Sequence, residues 1–318
     1  MRFFAVFTTF CACFLLSSCT PAGGAYVSNN PYRPGSHTTA SPVVTQRPAP
    51  LPPGAGVVSR PNSLNPTLSL PTPATPAPTP GCAAVCVIDP SNGRILYSHN
   101  ANQRRQVAST QKIITALCVC DENQLDKMVT IKASDNTAPP IRLNLKPGTQ
   151  YRKRDLLQAM LTGSFNDIAV ALARDTDGSV DAFVKRMNAR ARRMRMYDTH
   201  FANPNGLPAN QYSTAHDMAL AACYAYNNRT IRSYINIPSY DFVKADGSVR
   251  TIRSTNKLLG KYPWVQGMKT GYTNLAGKCL ISCGSVNGRS VIVVVLGSTS
   301  AKVWGESLKY LKWALGIA

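Results

Sequence analysis

Proline is concentrated near the amino terminus, and this distribution limits how much of the chain can form a hydrophobic core. Of the 23 prolines in 318 residues, 15 lie in residues 20–80, a segment with no Asp, Glu or Lys. Such a segment buries too little apolar surface to fold, and the TPATPAPTP run at 72–80 is typical of an extended polyproline conformation. We therefore predict a Pro-rich disordered linker over 20–80 and one folded domain over 81–318.

The charge balance favours a polyanionic neighbour. The chain has 35 Lys and Arg against 15 Asp and Glu, a formal net charge of +20, and four of the basic residues lie before residue 81. Such a charge indicates nucleic acid, an anionic membrane or a cell-wall polymer as the neighbour. Because hydrophobic residues make up 44% of the chain, a wholly disordered or fibrous protein is excluded.

Residues 1–19 have the layout of an export signal, with one positive charge at Arg2, an apolar run, and then small residues. The last four, LSSC, resemble the bacterial lipobox, in which the signal is cut before a cysteine that carries a diacylglycerol. We therefore predict an exported protein that is anchored to the extracytoplasmic or periplasmic face of a bacterial membrane by a lipid on Cys19, with an ordinary signal peptide as the alternative. Export argues against nucleic acid as a partner, and no nucleic-acid-binding motif is visible.

A basic stretch and seven cysteines remain open to more than one interpretation. Residues 185–195 carry six basic side chains, which form either a solvated helix face or a surface that docks on anionic polymer or lipid. Cys82 and Cys86, like Cys279 and Cys283, are four residues apart in strand-like runs, so each pair is expected on one sheet face as small core residues. A disulfide is the alternative in an oxidising compartment. The spacing argues against a zinc site.

Hydrophobic patterns predict strands near both ends of the domain and helices between them. Strands are expected at 83–88, 94–98, 279–285 and 290–297. Helices are expected from Ser109, from Asp155 with a break at 163–166, from Ser179, and over 304–315. This order predicts an α/β or α+β domain whose sheet is assembled from distant parts of the chain.

Three short motifs occur in a characteristic order in this domain. They are Ser109-Thr110-Gln111-Lys112, Ser164-Phe165-Asn166 and Lys269-Thr270-Gly271. Each motif alone is weak, since S-x-x-K occurs by chance in most proteins. Together, in this order, they are typical of penicillin-binding proteins and class A β-lactamases.

The first motif predicts a serine nucleophile with a lysine base. Residues three apart share a helix face, so Lys112 can lie against the hydroxyl of Ser109, which is a poor nucleophile until a base takes its proton. Lysine is a base only when neutral, and burial together with a second cation, Lys269, would lower its pKa. The helix N-terminus at Ser109 can stabilise an oxyanion, and we expect Ser164 to relay a proton to the leaving amine.

The remaining motif residues are predicted to bind substrate. We expect Asn166 to orient the acyl part, and Lys269 with Thr270 to bind the terminal carboxylate. Gly271 allows the strand backbone to lie against the substrate, and the backbone N–H of Tyr272 completes the oxyanion hole.

At these residues the chain resembles the low-molecular-mass penicillin-binding proteins, the serine D-alanyl-D-alanine carboxypeptidases of peptidase family S11. The resemblance covers nearly all of 81–318 and extends to four longer segments, 87–117, 201–208, 212–219 and 267–280. It implies a β-lactamase/DD-peptidase-like fold: a five-stranded antiparallel sheet flanked by helices, a mostly helical subdomain, and a cleft between them. Phe165 departs from the small residue that is usual between Ser and Asn, and is expected either to narrow that cleft or to alter how a β-lactam lies in it.

The resemblance also implies a reaction. Ser109 would be acylated by the penultimate D-Ala of a peptidoglycan stem peptide, the last D-Ala would leave, and water would hydrolyse the acyl-enzyme in cell-wall biosynthesis or remodelling. β-Lactams would acylate the same serine, and no metal or cofactor is implied. Two alternatives stay open: a D,D-endopeptidase that cuts cross-links with the same residues, and a non-catalytic peptidoglycan-binding lipoprotein.

Overall fold

The computed structural model describes residues 68–318, so that the predicted signal, Cys19 and most of the predicted linker lie outside the described residues. A five-stranded antiparallel sheet has the strand order β2-β1-β9-β8-β7. Its strands are β1 (Ala84–Ile88), β2 (Ile95–His99), β7 (Val265–Thr273), β8 (Gly277–Val286) and β9 (Arg289–Ser298). The sheet therefore joins the two ends of the domain, which confirms the predicted sheet and fold class.

The helices of the described chain lie mainly between the two groups of strands. They are α1 (Lys112–Cys120), α2 (Lys153–Gly163), α3 (Asn166–Asp177), α4 (Val180–Arg193), α5 (Ala215–Asn227), α6 (Arg229–Ile235) and α7 (Val303–Leu315). The predicted break between α2 and α3 is confirmed, because Ser164 has a left-handed φ of 64° that ends α2. Ser179 caps α4 as expected, its side chain accepting a hydrogen bond from the N–H of Ala182 at 3.1 Å. None of the helices within 68–318 has the length and apolar character needed to cross a membrane.

Sequence patterns missed α5, α6 and two small hairpins. The hairpins are β3 (Met128–Thr130) with β4 (Gln150–Arg152), and β5 (Ser239–Val243) with β6 (Val249–Arg253). Their strands alternate between exposed and buried positions over only three to five residues, which gives a weak periodic signal.

Two apolar layers cover the central sheet. Alternate residues of β9 point to opposite faces: Ile292 and Val294 join the layer formed with α1 to α6, whereas Val293 and Val295 join the layer beneath α7. A run of consecutive apolar residues is what a strand buried on both faces requires. The sheet is thus a rigid support whose edge strand, β7, is free on one side.

The prediction that the two cysteines of each closely spaced pair share a sheet face is right for one pair and wrong for the other. Cys279 and Cys283 both lie in the layer facing α1 to α6, as predicted. Cys86 also lies there, but Cys82 packs on the α7 side. The alternation does not reach back to Cys82, because β1 begins only at Ala84 and the preceding two residues form a bend. All seven cysteines of the described residues are free thiols.

The last part of the predicted linker, residues 68–80, is ordered and contacts the domain. We call these residues the strap. Leu70 is buried beneath α7, its N–H donates to Asp89 at 2.7 Å, and Tyr310 and Trp313 of α7 donate to strap carbonyls at 2.9 Å. The strap therefore belongs to the folded unit, which begins before the predicted boundary at residue 81. Its apolar and carbonyl groups contact the sheet and α7, and these contacts hold it in place.

The basic stretch at 185–195 is partly neutralised within the protein. Arg186 forms a bidentate contact with Asp177, and Arg190 pairs with Asp121 at 3.1 Å while lying over the ring of Tyr224. Two of the six basic side chains thus stabilise helix packing, which supports the interpretation as an ordinary helix face more than as a docking surface.

Candidate active site

The three motifs meet in one cleft of about 340 Å³. The N-terminal turn of α1, the junction of α2 with α3, and the free edge of β7 form its walls. Its lining includes Ser109, Ser164, Asn166, Thr270, Gly271 and Tyr272. The sequence-predicted site residues of the described chain are therefore brought together, whereas Lys112 and Lys269 lie just beneath the surface of the cleft.

Ser109 and Lys112 form the nucleophile pair. Ser109 lies in a single 3-10 turn, Ala108–Gln111, that leads directly into α1 at Lys112. The Lys112 amine is fully buried and lies 2.9 Å from the Ser109 hydroxyl oxygen. It also donates to the side-chain oxygen of Asn166 at 2.7 Å and to the carbonyl of Asn205 at 2.6 Å. Three acceptors hold this amine, and one of them is the Ser109 hydroxyl, against which the motif placed it.

The surroundings of Lys112 favour its neutral form. Burial is the main cause that lowers its pKa well below the ordinary value, and the positive charge of Lys269 lowers the pKa further. Asp167 acts in the opposite direction, but its carboxylate is occupied by the N–H groups of Leu143 and Asn144 at 3.0 and 2.8 Å. A neutral amine beside a hydroxyl can accept its proton, which is the condition for nucleophilic attack.

Asn205 has no signature in the sequence, because its contribution is a backbone carbonyl. This carbonyl accepts from both Lys112 and the Ser109 hydroxyl. Its loop is held by Gln111, whose side chain donates to the carbonyl of Asn203 at 2.5 Å, while the Asn203 side chain accepts from the N–H of Gly206 at 2.8 Å. Segment 201–208, which contains Asn205, is part of the family resemblance, but the resemblance assigned no role to its residues.

Ser164 and Lys269 form a second hydroxyl–amine pair. The left-handed backbone at Ser164 directs its hydroxyl into the cleft, where it accepts from the Lys269 amine at 2.7 Å. Lys269 is 1% exposed, and burial lowers its pKa to about 7. Its amine also donates to the carbonyl of Thr270 at 3.0 Å. This arrangement suits proton transfer through Ser164, but it leaves Lys269 buried behind the residues that line the cleft.

Asn166 has a partner that the sequence did not predict. Its side-chain oxygen accepts from Lys112, and its amide nitrogen lies 3.4 Å from the carbonyl of Pro139. Since Asn166 also lines the cleft, it connects the base to the substrate-facing surface. Phe165, expected to narrow the cleft, instead packs inside the domain below Arg250, with 5.2 Å between the guanidinium and the ring centre.

The close approach of β7 to Ser109 requires a glycine. A Cβ atom on Gly271 would lie 2.9 Å from the N of Ser109 and 3.0 Å from the Cβ of Ala108, closer than such atoms can pack. The N–H of Ser109 is in the first turn of its helix, where backbone donors have no helical partner. Because β7 is an edge strand, Tyr272 next to Gly271 can offer its own N–H, so this region suits an oxyanion.

Thr270 is held by a residue that the sequence analysis did not identify. Its hydroxyl lies 2.5 Å from that of Thr255, which also lines the cleft. Thr255 belongs to the loop between β6 and β7, which has no recognisable motif. The contact fixes the Thr270 hydroxyl at the cleft surface.

The pH dependence of acylation should report the coupling between the two lysines. In Lys269→Met the second cation is lost, so the pKa of Lys112 rises and the acidic limb of the acylation rate moves to higher pH. The measurement is the labelling rate of Ser109 by a fluorescent penicillin between pH 5 and 10. Lys185→Met, an exposed lysine on α4, should leave the midpoint unchanged. A midpoint that stays in place or falls in Lys269→Met would contradict the coupling.

Comparison with known proteins agrees with this geometry. Residues 73–300 match the model of the peptidase family S11, described as D-alanyl-D-alanine carboxypeptidase. The carboxypeptidase DacF of Bacillus subtilis is 31% identical over 223 residues, which are 68% of this chain and 57% of the relative. A D-alanyl-D-alanine endopeptidase of Pseudomonas aeruginosa is 32% identical, over 66% of this chain and 69% of the relative.

A solved structure supports the same assignment. The crystal structure of a D-alanyl-D-alanine carboxypeptidase from Mycobacterium tuberculosis superimposes with a TM-score of 0.73 at 30% identity, over 78% of this chain and 97% of that one. The similarity in fold thus extends over most of the described chain. The chain belongs to peptidase family S11, the family of the D-alanyl-D-alanine carboxypeptidases.

Proposed function

We propose that this protein is a serine D-Ala-D-Ala carboxypeptidase that removes the terminal D-Ala of peptidoglycan stem peptides. The observation that carries the proposal is the buried amine of Lys112, held 2.9 Å from the Ser109 hydroxyl beside a second pair, Lys269 and Ser164. This arrangement provides one base for the nucleophile and a separate hydroxyl for the leaving group. The family assignment supports the substrate.

The first half-reaction transfers the acyl group to the enzyme. Neutral Lys112 takes the hydroxyl proton of Ser109, and the oxygen forms a bond with the carbonyl carbon of the penultimate D-Ala. The N–H groups of Ser109 and Tyr272 stabilise the resulting oxyanion. When the C–N bond breaks, the Ser164 hydroxyl donates a proton to the leaving amine and regains one from Lys269, so that D-Ala departs as a neutral amine.

The second half-reaction returns the free enzyme. A water molecule gives a proton to a basic amine of the site and attacks the ester carbonyl, and the C–O bond to Ser109 breaks with return of a proton to its oxygen. The same oxyanion donors act in both steps. We expect β-lactams to form the ester and then to block this hydrolysis, which would make them inhibitors of the protein.

We also propose that the protein is exported and anchored by a lipid on Cys19. The support is the sequence of residues 1–19, with its single charge, apolar run and terminal LSSC. Peptidoglycan lies outside the cytoplasm, so an enzyme acting on it needs export. Metabolic labelling with a radioactive fatty acid should mark the full chain, and Cys19→Ser should lose the label. Labelling that persists in Cys19→Ser would contradict the proposed anchor.

A D,D-endopeptidase is the second candidate, because one of the similar proteins bears that name. The full-length chain, purified in detergent, should release D-Ala from a monomeric pentapeptide, and Ser109→Ala should release none. Mass spectrometry of the products from a pentapeptide monomer and from a cross-linked dimer separates the two activities. Cleavage of the dimer with the monomer left intact would show that the carboxypeptidase proposal is wrong and that the endopeptidase is correct.

A further inference from the structure

The basic residues that line the open cleft are not those of the K-T-G motif. Lys257 and Lys278 line the cleft, whereas Lys112 and Lys269 are buried beneath it. Neither Lys257 nor Lys278 takes part in an ion pair within residues 68–318. Two unneutralised cations at the mouth of a cleft are a binding site for an anionic group.

Lys278 is the better placed of the two. It lies on β8 directly opposite Tyr272 on β7 and Ser298 on β9. Its amine is 4.1 Å from the centre of the Tyr272 ring, and the Tyr272 hydroxyl donates to Asn274 at 2.9 Å. Lys278 is therefore held on the sheet and is partly buried, beside a ring that is exposed to solvent. Lys257, in contrast, is exposed on a loop, where a charge is more strongly screened.

Lys269 is poorly suited to meet a carboxylate in the cleft. Its amine is 1% exposed and already donates to Ser164 and to the carbonyl of Thr270. Burial lowers its pKa to about 7, so that near neutral pH much of it carries no charge. The Thr270 hydroxyl lines the cleft but brings no charge. A cation for the substrate carboxylate must come from elsewhere.

We propose that Lys278 is the cation that binds the terminal carboxylate of the departing D-Ala, a step that rests on the proposed function. In the substrate this carboxylate is three bonds from the scissile carbonyl carbon, whose oxygen would be held by the N–H of Tyr272. The carboxylate must therefore lie close to Tyr272 and Thr270. Lys278, fixed over the Tyr272 ring, lies on that side of the cleft and forms a charge-assisted hydrogen bond, while Thr270 provides a neutral one.

Two substrates with the same acyl group test this assignment. One is diacetyl-L-lysyl-D-alanyl-D-alanine, which has a terminal carboxylate, and the other is the methyl thioester of diacetyl-L-lysyl-D-alanine, which has none. Both give the same acyl-enzyme, so kcat/KM compares their acylation steps. With the full-length chain, Lys278→Met should lower kcat/KM for the peptide by about 10- to 100-fold. This loss should exceed the loss with the thioester at least tenfold, and Lys278→Arg should recover most of it.

Lys257→Met and Lys185→Met are the matched controls, one for the other lysine of the cleft and one for a remote lysine on α4. Both should reduce kcat/KM for the peptide far less than Lys278→Met does. Two results would overturn the assignment of Lys278 while leaving the proposed function intact, because the wild-type enzyme would still release D-Ala. One is an equal loss of kcat/KM on the two substrates in Lys278→Met, and the other is a loss selective for the peptide in Lys257→Met instead. A wild-type protein that cleaves the thioester but never the peptide would overturn the proposed function and, with it, this role of Lys278.

Discussion

Lys112→Met is expected to lower the acylation rate of Ser109 by about 10²- to 10⁴-fold while the domain remains folded. Methionine has nearly the length of lysine and no basic amine. The Ser109 hydroxyl then has no neutral base within hydrogen-bond distance, because the other amine of the site, Lys269, is bonded to Ser164. The rate is measured by mass spectrometry of the Ser109 adduct after mixing with benzylpenicillin.

A second fully buried lysine provides a matched comparison. Lys153 is as buried as Lys112, but it pairs with Glu122 at 2.7 Å and with Asp175 at 2.9 Å. Lys153→Met should lower the free energy of unfolding by about 2 to 4 kcal/mol, because it leaves the mostly buried carboxylate of Glu122 without its cation and that of Asp175 with Lys127 alone, at 3.4 Å. It should not change the acylation rate of the folded protein.

Lys112→Met should therefore mainly lower the acylation rate, whereas Lys153→Met should mainly lower the free energy of unfolding. Lys112 has no carboxylate partner in the described chain, and burial opposes its charge. Its replacement by an apolar side chain leaves the acceptors of Asn166 and Asn205 without this donor but leaves no buried carboxylate unpaired, so it should cost less stability than Lys153→Met. Lys112→Arg adds a further check, since arginine keeps a positive charge but cannot act as a base at neutral pH. Normal labelling in Lys112→Met or Lys112→Arg would remove Lys112 from the mechanism. A large loss of stability in Lys112→Met would instead give it a structural role.

The parts of the site that the sequence predicted are those set by local geometry. Ser109 and Lys112 meet because a helix places residues three apart on one face, and Ser164 enters the cleft because a left-handed residue breaks the helix there. Gly271 follows from the same logic, since an approach of 2.9 Å between its Cβ position and the N of Ser109 allows no larger residue. Motif and spacing carry this information directly.

The parts that the sequence did not predict depend on contacts between distant segments. The Asn205 carbonyl reaches Lys112 across 93 positions, and backbone atoms have no residue-specific signal. The direction of the Lys269 amine, beneath the strand and toward Ser164, depends on how α2 and β7 pack. The position of Lys278 depends on the register between β7 and β8. This register is set by the turn between the two strands and cannot be predicted from the motif.

Composition also misjudged where order begins. The strap has the proline content of a disordered linker, yet its N-terminal residue Leu68 pairs with β9 at Arg289 and Leu70 is 3% exposed. Proline fixes φ in advance, so that an extended segment loses less conformational entropy when it docks than other sequences do. A few buried and hydrogen-bonded groups are then sufficient to hold the strap. The amino-acid composition averaged over about 60 residues does not reveal these few groups.

Removal of the strap is expected to lower the free energy of unfolding, by less than about 7.5 kcal/mol. This upper limit combines the burial of Leu70, at about 1.5 to 3 kcal/mol, with the hydrogen bonds that the strap forms with Asp89, Tyr310 and Trp313, at about 0.5 to 1.5 kcal/mol each. The entropy of ordering the segment reduces the net value. The comparison is between chains beginning at residue 68 and at residue 81, unfolded in urea. Equal midpoints and slopes for the two chains would contradict a stabilising role.

A matched pair of leucines separates this docking from a general effect of chain length. Leu70→Ala should cost about 2 to 4 kcal/mol, because it leaves a cavity beneath α7 beside Val293 and Tyr310. Leu68→Ala, at a position 56% exposed, should change stability by less than about 0.5 kcal/mol. Neither change should alter acylation of Ser109 in the folded protein, since no residue of the strap lines the cleft. If Leu70→Ala cost as little stability as Leu68→Ala, the strap would be bound through its backbone alone. The proline-rich composition rather than Leu70 would then determine where the ordered domain begins.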